Sequence, residues 1–173
     1  VLSATNYGVP QRRNRFFILA TRIKDLKLSA PLPTHDKAVT VSEAFAGLPN
    51  VTPNTKTEGK IYTGEGSDFS ELMRDNEFWK LGQGTNNEIT YQTPMKHRAC
   101  TLERFALLQQ GESLKDLFER YVGEEREALQ ARRVLPKKMF IKRNYRLNPA
   151  EASPTVTSHC LDEFVHPIHD RAL

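Results

Sequence analysis

The sequence predicts an α+β chain of short, mixed elements, and three observations carry that expectation. An apolar run, Phe16 to Ala20, follows a turn signal and reads as a strand. Several later stretches place apolar residues at helical spacing behind a hydroxyl-bearing residue. Two further runs, Met139 to Leu147 and Thr155 to Ser158, read as strands near the carboxyl end. At 173 residues the chain is long enough for one domain with a core. Its hydrophobic content of 38% and mean hydropathy of −0.57 predict a polar, open surface.

In chain order, Tyr7, Gly8, Val9 and Pro10 form the turn that leads into the first strand, which ends near Arg22. Side chains alternate across a strand, so Gln11, Arg13 and Arg15 face one side, and Arg12 and Asn14 the other. Two guanidiniums on one face, beside a buried apolar strand, are costly unless they meet an anion or a polar ligand. That marks a substrate-facing edge. A basic turn with Lys24 and Lys27 precedes a loop at Pro31 and Pro33. Thr40 to Glu43 has capping-box spacing, and Ala44, Phe45 and Leu48 give a short helix its apolar face before Pro49. Residues 50–66, rich in Thr, Asn, Gly and Lys, read as a long exposed loop of a kind that is often functional.

Ser67 caps a second predicted helix running to Asn76, with Phe69, Leu72 and Met73 inward, and residues 82–94 are again polar and loop-like. A third helix starts at Thr101. Its Leu102, Phe105 and Leu108 form a stripe that reads as core rather than as a partner groove, and Gly111 takes the carboxyl-cap position. Ser113 begins a fourth, with Leu114, Leu117, Phe118 and Tyr121 on one stripe. Residues 124–133, EEREALQARR, carry acid early and base late, which suits the helix dipole.

The net charge of +4 and pI near 9.1 fit a nucleic-acid partner without requiring one. Residues 132–146, RRVLPKKMFIKRNYR, hold seven basic residues and no acid, with Phe140 and Tyr145 interleaved. Phosphate neutralisation by such a stripe gives sequence-independent, salt-sensitive affinity, and Lys137, Lys138, Lys142, Arg143 and Arg146 are the candidates for DNA contact. The plainer reading is a strand edge kept basic against edge-to-edge pairing. Gln83, Asn86, Asn87 and Gln92 have the groups to hydrogen-bond base edges, although polar loops are often simply polar. His97, between Lys96 and Arg98, is either a phosphate contact or a satisfied loop residue.

His159, Cys160, His166 and His169 fall close together, but their spacing fits no zinc pattern, and no metal site is predicted. The two cysteines make neither a disulfide framework nor a CxxC pair, which points to a reducing, cytoplasmic setting. No signal-like or long apolar run predicts export or a membrane partner.

The run YGVPQRRNRFFI, residues 7–18, resembles the Gln-Arg-x-Arg block of the cytosine-5 DNA methyltransferases. Residues 145–173, YRLNPAEASPTVTSHCLDEFVHPIHDRAL, are similar to the family's ninth block followed by the lead into the tenth. Two blocks in the family's order, at opposite ends of the chain, are more specific than either alone. The resemblance implies peripheral strands of a Rossmann-like α/β catalytic domain over residues 1–23. It places a target recognition domain over 24–144, and a hinge and return segment over 145–173.

It also implies methyl transfer from S-adenosylmethionine to carbon 5 of cytosine in a specific double-stranded DNA sequence. Arg13 and Arg15 would then support contacts to the target cytosine, and Gln11 would bind substrate. In that chemistry the base leaves the stack and a thiolate adds to ring carbon 6, driving charge onto the exocyclic oxygen. An arginine directed there stabilises this charge as an oxyanion hole does, and Arg15 takes that place by analogy.

The family's Phe-x-Gly-x-Gly cofactor turn, Pro-Cys nucleophile and Glu-Asn-Val block have no match. Gly64 with Gly66 and Gly82 with Gly84 sit in polar loops, Cys100 follows Ala99, and Cys160 follows His159. The chain, starting at Val1, is therefore expected to be a segment that binds no cofactor and is inactive alone. Its expected partners are DNA and the amino-terminal catalytic part, in the same chain or as a separate subunit. Alternatives that stay open are a DNA-binding subunit of a split methyltransferase, a stand-alone DNA-binding remnant, and an RNA-methylating relative. In a restriction-modification pair the parent would protect host DNA.

Overall fold

The computed structural model describes residues 1–55, 60–62, 64–74, 88–89, 93–138, 143–157 and 163–173. At the amino terminus β1 (Leu2–Ser3) pairs antiparallel with β2 (Asn14–Arg15), Leu2 opposite Arg15. A 3-10 turn over Ala4–Tyr7 joins them and closes at Gly8, whose φ of 78° is left-handed. The apolar run beyond Arg15 departs from expectation. Phe16, Phe17, Ile18 and Leu19 are exposed, Ile18 to 82%, and form no strand. β1 is two residues long, so among the described residues it offers the run nothing to pair with.

α1 (Val41–Phe45) has the predicted capping box. The Glu43 N–H donates to Thr40 Oγ1 at 3.2 Å, and the Thr40 N–H donates to the Glu43 carboxylate at 2.7 Å. The Thr40 hydroxyl and N–H hold that carboxyl below its usual range. Within the expected 50–66 loop, β3 (Lys60–Ile61) pairs antiparallel with β4 (Glu88–Ile89).

α2 (Asp68–Arg74) starts where predicted, with the Ser70 N–H donating to Ser67 Oγ at 3.1 Å. Its inward face differs: Ser70 is buried, whereas Leu72 and Met73 are exposed. The reason is Tyr62, which packs on the polar side of the helix. Its hydroxyl lies 3.3 Å from Ser70 Oγ and donates to Glu71 at 2.9 Å, and the Arg74 guanidinium sits 3.5 Å from its ring centre. Asn76, the expected end of this helix, lies outside the described residues.

The main core belongs to α3 (Ala99–Leu107), α4 (Leu114–Arg120) and α5 (Gly123–Ala131). Phe105, Leu108, Leu114, Leu117, Leu129, Val134 and Leu135 close on one another, with Val165 and Ala172 added from the carboxyl end. α3 begins two residues ahead of the expected Thr101 and is capped by Leu108. Gly111 instead makes the next turn at φ 81°, its N–H donating to Arg146 O at 2.8 Å. Ser113 caps α4 reciprocally with Asp116.

β5 (Tyr145–Arg146) pairs parallel with β6 (Phe164–Val165). The predicted 139–147 strand thus survives only at its end, residues 139–142 lying outside the described residues. Residues 155–157 are not a strand, and residue 158 lies outside the described residues. Pro154 has no N–H to extend the bridge made at Ser153, so any ladder stops there. A smaller core of Val41, Leu147 and Phe164, with Phe45 and Tyr145, joins α1 to this sheet. Among the described residues no helix is long and apolar enough to cross a membrane.

Candidate nucleic-acid interface

The two stretches singled out at opposite ends of the sequence lie side by side. Gln11 bridges Ser153 in parallel; the Arg12 N–H donates to Ser153 O at 2.7 Å, and the Ser153 N–H to Pro10 O at 3.0 Å. The Thr155 hydroxyl donates to Arg12 O at 2.8 Å, and Arg12 pairs with Glu151 at 3.0 Å. On its other side the same segment receives the Val41 N–H on Glu151 O at 2.8 Å and the Ser42 N–H on Pro149 O at 2.9 Å. These are donors at the start of α1 that have no partner within the helix. Residues 149–155 therefore fasten the arginine stretch to α1. The half-exposed ion pair contributes at most about 1 kcal/mol; the backbone bonds fix the geometry.

Arg13, Arg15, Phe17 and Leu19, every second residue, line a cavity of about 460 Å³ together with Leu2, Tyr7 and Pro31. No Asp or Glu lines it, and among the described residues neither guanidinium has a carboxylate partner. Arg13 is half-buried, while Arg15 is exposed and rests one N–H on Asn14 O at 2.8 Å. The cavity is an apolar hollow with two positive groups at its wall. Gln11 does not join them. Its N–H bonds back to Val9 O at 2.7 Å, and the residue lines a second cleft on the α1 side instead.

The basic run divides in two. Lys137, Lys138 and Arg143 are exposed, and Arg143 also has partners within the protein. Arg146 is only 5% exposed. Its guanidinium donates to Phe105 O at 2.5 Å, to His166 O at 3.1 Å and to the Asp170 carboxylate, so it ties α3 to the carboxyl-terminal segment. Lys142 and Phe140, like Gln83, Asn86, Asn87 and Gln92, lie outside the described residues.

Sequence reasoning missed Arg104, which holds both flanks of the run. Its guanidinium donates to Val134 O at 2.5 Å, Arg133 O at 3.2 Å and Asn144 Oδ1 at 3.1 Å. Arg133 and Asn144 both have left-handed φ, 64° and 54°, so the run turns sharply at each end. Nothing in the spacing of one arginine within a helix signals that role.

His97 is held by the fold: its N–H donates to Asn54 Oδ1 at 2.6 Å, its Nε2 accepts from the Ala172 N–H at 3.3 Å, and its ring meets Phe105 edge-on. His166 and His169 stack with ring centres 4.6 Å apart, whereas His159 and Cys160 lie outside the described residues. Among the described residues no group of His, Cys, Asp and Glu is arranged to hold a metal. Cys100 is a free thiol packed against the main core, away from the arginine cavity.

Residues 1–158 match the family model of the C-5 cytosine-specific DNA methylases. The chain is also 27% identical, over 177 aligned positions, to the type II methyltransferase M.DdeI of Desulfomicrobium norvegicum. That similarity takes in 99% of this chain and 40% of the relative, so the chain spans well under half of the relative's length. The matched span contains the arginine cavity and the strand contact beside it, and the chain belongs to the C-5 cytosine-specific DNA methylase family.

Proposed function

We propose that this chain is the part of a DNA (cytosine-5) methyltransferase that recognises the DNA target and lends arginines to the target base. The observation that carries the reading is the pair Arg13 and Arg15 at the wall of one apolar cavity, within the span matched by the family model. A flipped cytosine needs such a place: an apolar surround for its ring and a donor for its exocyclic oxygen. Arg15 is assigned to that oxygen and Arg13 to the geometry around it. Gln11 is assigned to the substrate from the α1 side. Lys137, Lys138, Lys142 and Arg143 take the DNA backbone, while Arg146, buried and bonded inside, serves the fold.

Residues 1–23 then belong with the catalytic domain, 24–144 with target recognition, and 145–173 with the return to the catalytic domain. The contact between residues 10–12 and 153–155 supports this division, because it brings both ends of the recognition segment to one place. The exposed run Phe16 to Leu19 supports a catalytic part that covers it, in the same chain or as a separate subunit. S-adenosylmethionine is the methyl donor that the family implies for the parent enzyme. The family's Phe-x-Gly-x-Gly turn and Pro-Cys pair have no match in this sequence. The nucleophile and the donor site are accordingly assigned outside this chain.

The test is methyl transfer by the full-length protein. Arg15→Ala is expected to lower kcat by about 10²–10³-fold while cofactor binding, followed by calorimetry, stays the same. A variant that keeps kcat within about threefold of the parent would remove Arg15 from the reaction.

A further inference from the structure

Beside α1, and sharing no lining residue with the arginine cavity, lies a larger cleft of about 850 Å³, within the size range of small-molecule sites. Its walls include α1, Gln11, Ser153 and, from the carboxyl-terminal segment, His166 to His169 and Arg171 to Leu173. Three rings stand in file along it: Phe45 and His166 with centres 5.3 Å apart and planes 27° apart, then His166 and His169 at 4.6 Å and 29°. His166 Nδ1 accepts from the Ile168 and His169 N–H groups, both at 3.1 Å, which leaves the ring proton on Nε2.

Arg171 is the cation of this cleft. Among the described residues its guanidinium makes one hydrogen bond, to Ala172 O at 3.3 Å, and its Nε is buried without a partner. Among the described residues no carboxylate pairs with it, since neighbouring Asp170 is turned to Arg146. No Asp or Glu lines the cleft at all. A half-buried guanidinium without an anion is expensive, and a cleft carrying one sign of charge concentrates the other. Burial pushes Arg171 below its usual range, and burial together with the Arg171 charge lowers both histidines.

We infer that this cleft is a second ligand site, one that takes a phosphorylated nucleoside with its planar ring at the half-buried His169 end of the Phe45–His166–His169 file and its phosphate on Arg171. The anion answers the unpaired guanidinium, and the flat ring extends the stack beyond His169. The same chemistry is offered by a free nucleotide and by one nucleotide unit of a DNA strand. The site does not depend on the assignment of Arg15, because the two cavities share no lining residue.

The experiment is titration of the protein with a 2′-deoxynucleoside 5′-monophosphate, the matching nucleoside, and inorganic phosphate, read by calorimetry and by the NMR shifts of the His169 ring. The monophosphate is expected to bind at least about tenfold more tightly than either part, and Arg171→Gln is expected to abolish that advantage. Arg171→Lys, which keeps the charge but not the fork, should lose part of it and guards against a folding defect. The Arg15→Ala protein should bind the monophosphate as the parent does, whether or not it has lost methyl transfer. Competition by a single-stranded oligonucleotide identifies a strand as the source, and its failure identifies a free nucleotide. Equal affinity for nucleoside and monophosphate, or a folded Arg171→Gln protein that binds like the parent, overturns the inference.

Discussion

Residues 99–135 and residues 12–40 both carry large apolar side chains, and the fold treats them oppositely. In the first region Phe105, Leu117 and Val134 are fully withdrawn from water, whereas in the second Phe16, Ile18 and Leu32 are 74%, 82% and 83% exposed. Burial of one such side chain contributes about 1.5–3 kcal/mol, so leaving a run of them in water is a large forfeit. The helices can close on themselves because their caps and turns are local. Beyond Arg15 the apolar run has no strand partner among the described residues. The first region closes its apolar side chains into a core with Val165 and Ala172, and the second leaves its own in water.

The sharpest way to break that contrast is at Phe105. Phe105→Ala is expected to cost about 3–5 kcal/mol in urea unfolding; a loss under about 1 kcal/mol would mean that stability resides elsewhere. Arg146→Met comes next, at about 2–3 kcal/mol, because it strands the Phe105 and His166 carbonyls and the Asp170 carboxylate.

A smaller effect reads out the carboxyl-terminal segment. Burial, helped by Arg171, drives the His166 pKa from 6.5 down to about 3. The unfolded chain therefore binds a proton that the folded chain refuses, so stability is full above pH 6.5 and falls as pH drops towards 3. The slope is at most about 1.4 kcal/mol per pH unit, and unfolding titrations in which His166→Gln leaves it unchanged would discard this cause. The smallest effect should come from the uncovered side: Ile18→Ser should shift the stability of the chain by less than about 0.5 kcal/mol. A greater loss on thermal melting would show that this run is packed after all.

What the sequence made legible is what depends on neighbours in the chain. Thr40 with Glu43, and Ser113 at the head of α4, announced their caps, and the stripes Leu102–Phe105–Leu108 and Leu114–Leu117 announced the main core. The short strands were not legible in the same way. β5 pairs with Phe164–Val165, a long-range contact that no local pattern announces, and Pro154 stops any ladder at Ser153. Arg146 looked like one more member of a basic stripe, because no local pattern shows that two carbonyls and a carboxylate from distant segments converge on it. Gln11 left the face of Arg13 and Arg15 because it belongs to the tight turn about Pro10, which returns its N–H to Val9 O, and β2 starts only at Asn14.

The bonds between residues 10–12 and 153–155 turn everything between them into an excursion that departs from and returns to one point on the molecule. The entropy of closing such a loop rises only with the logarithm of its length, about 0.6 kcal/mol for each doubling. Insertions or exchanges within the excursion leave the closing bonds in place and alter their cost little. A protein built this way can vary the far part of that excursion, beyond the Ala30–Pro31 wall of the arginine hollow, without touching the joint itself.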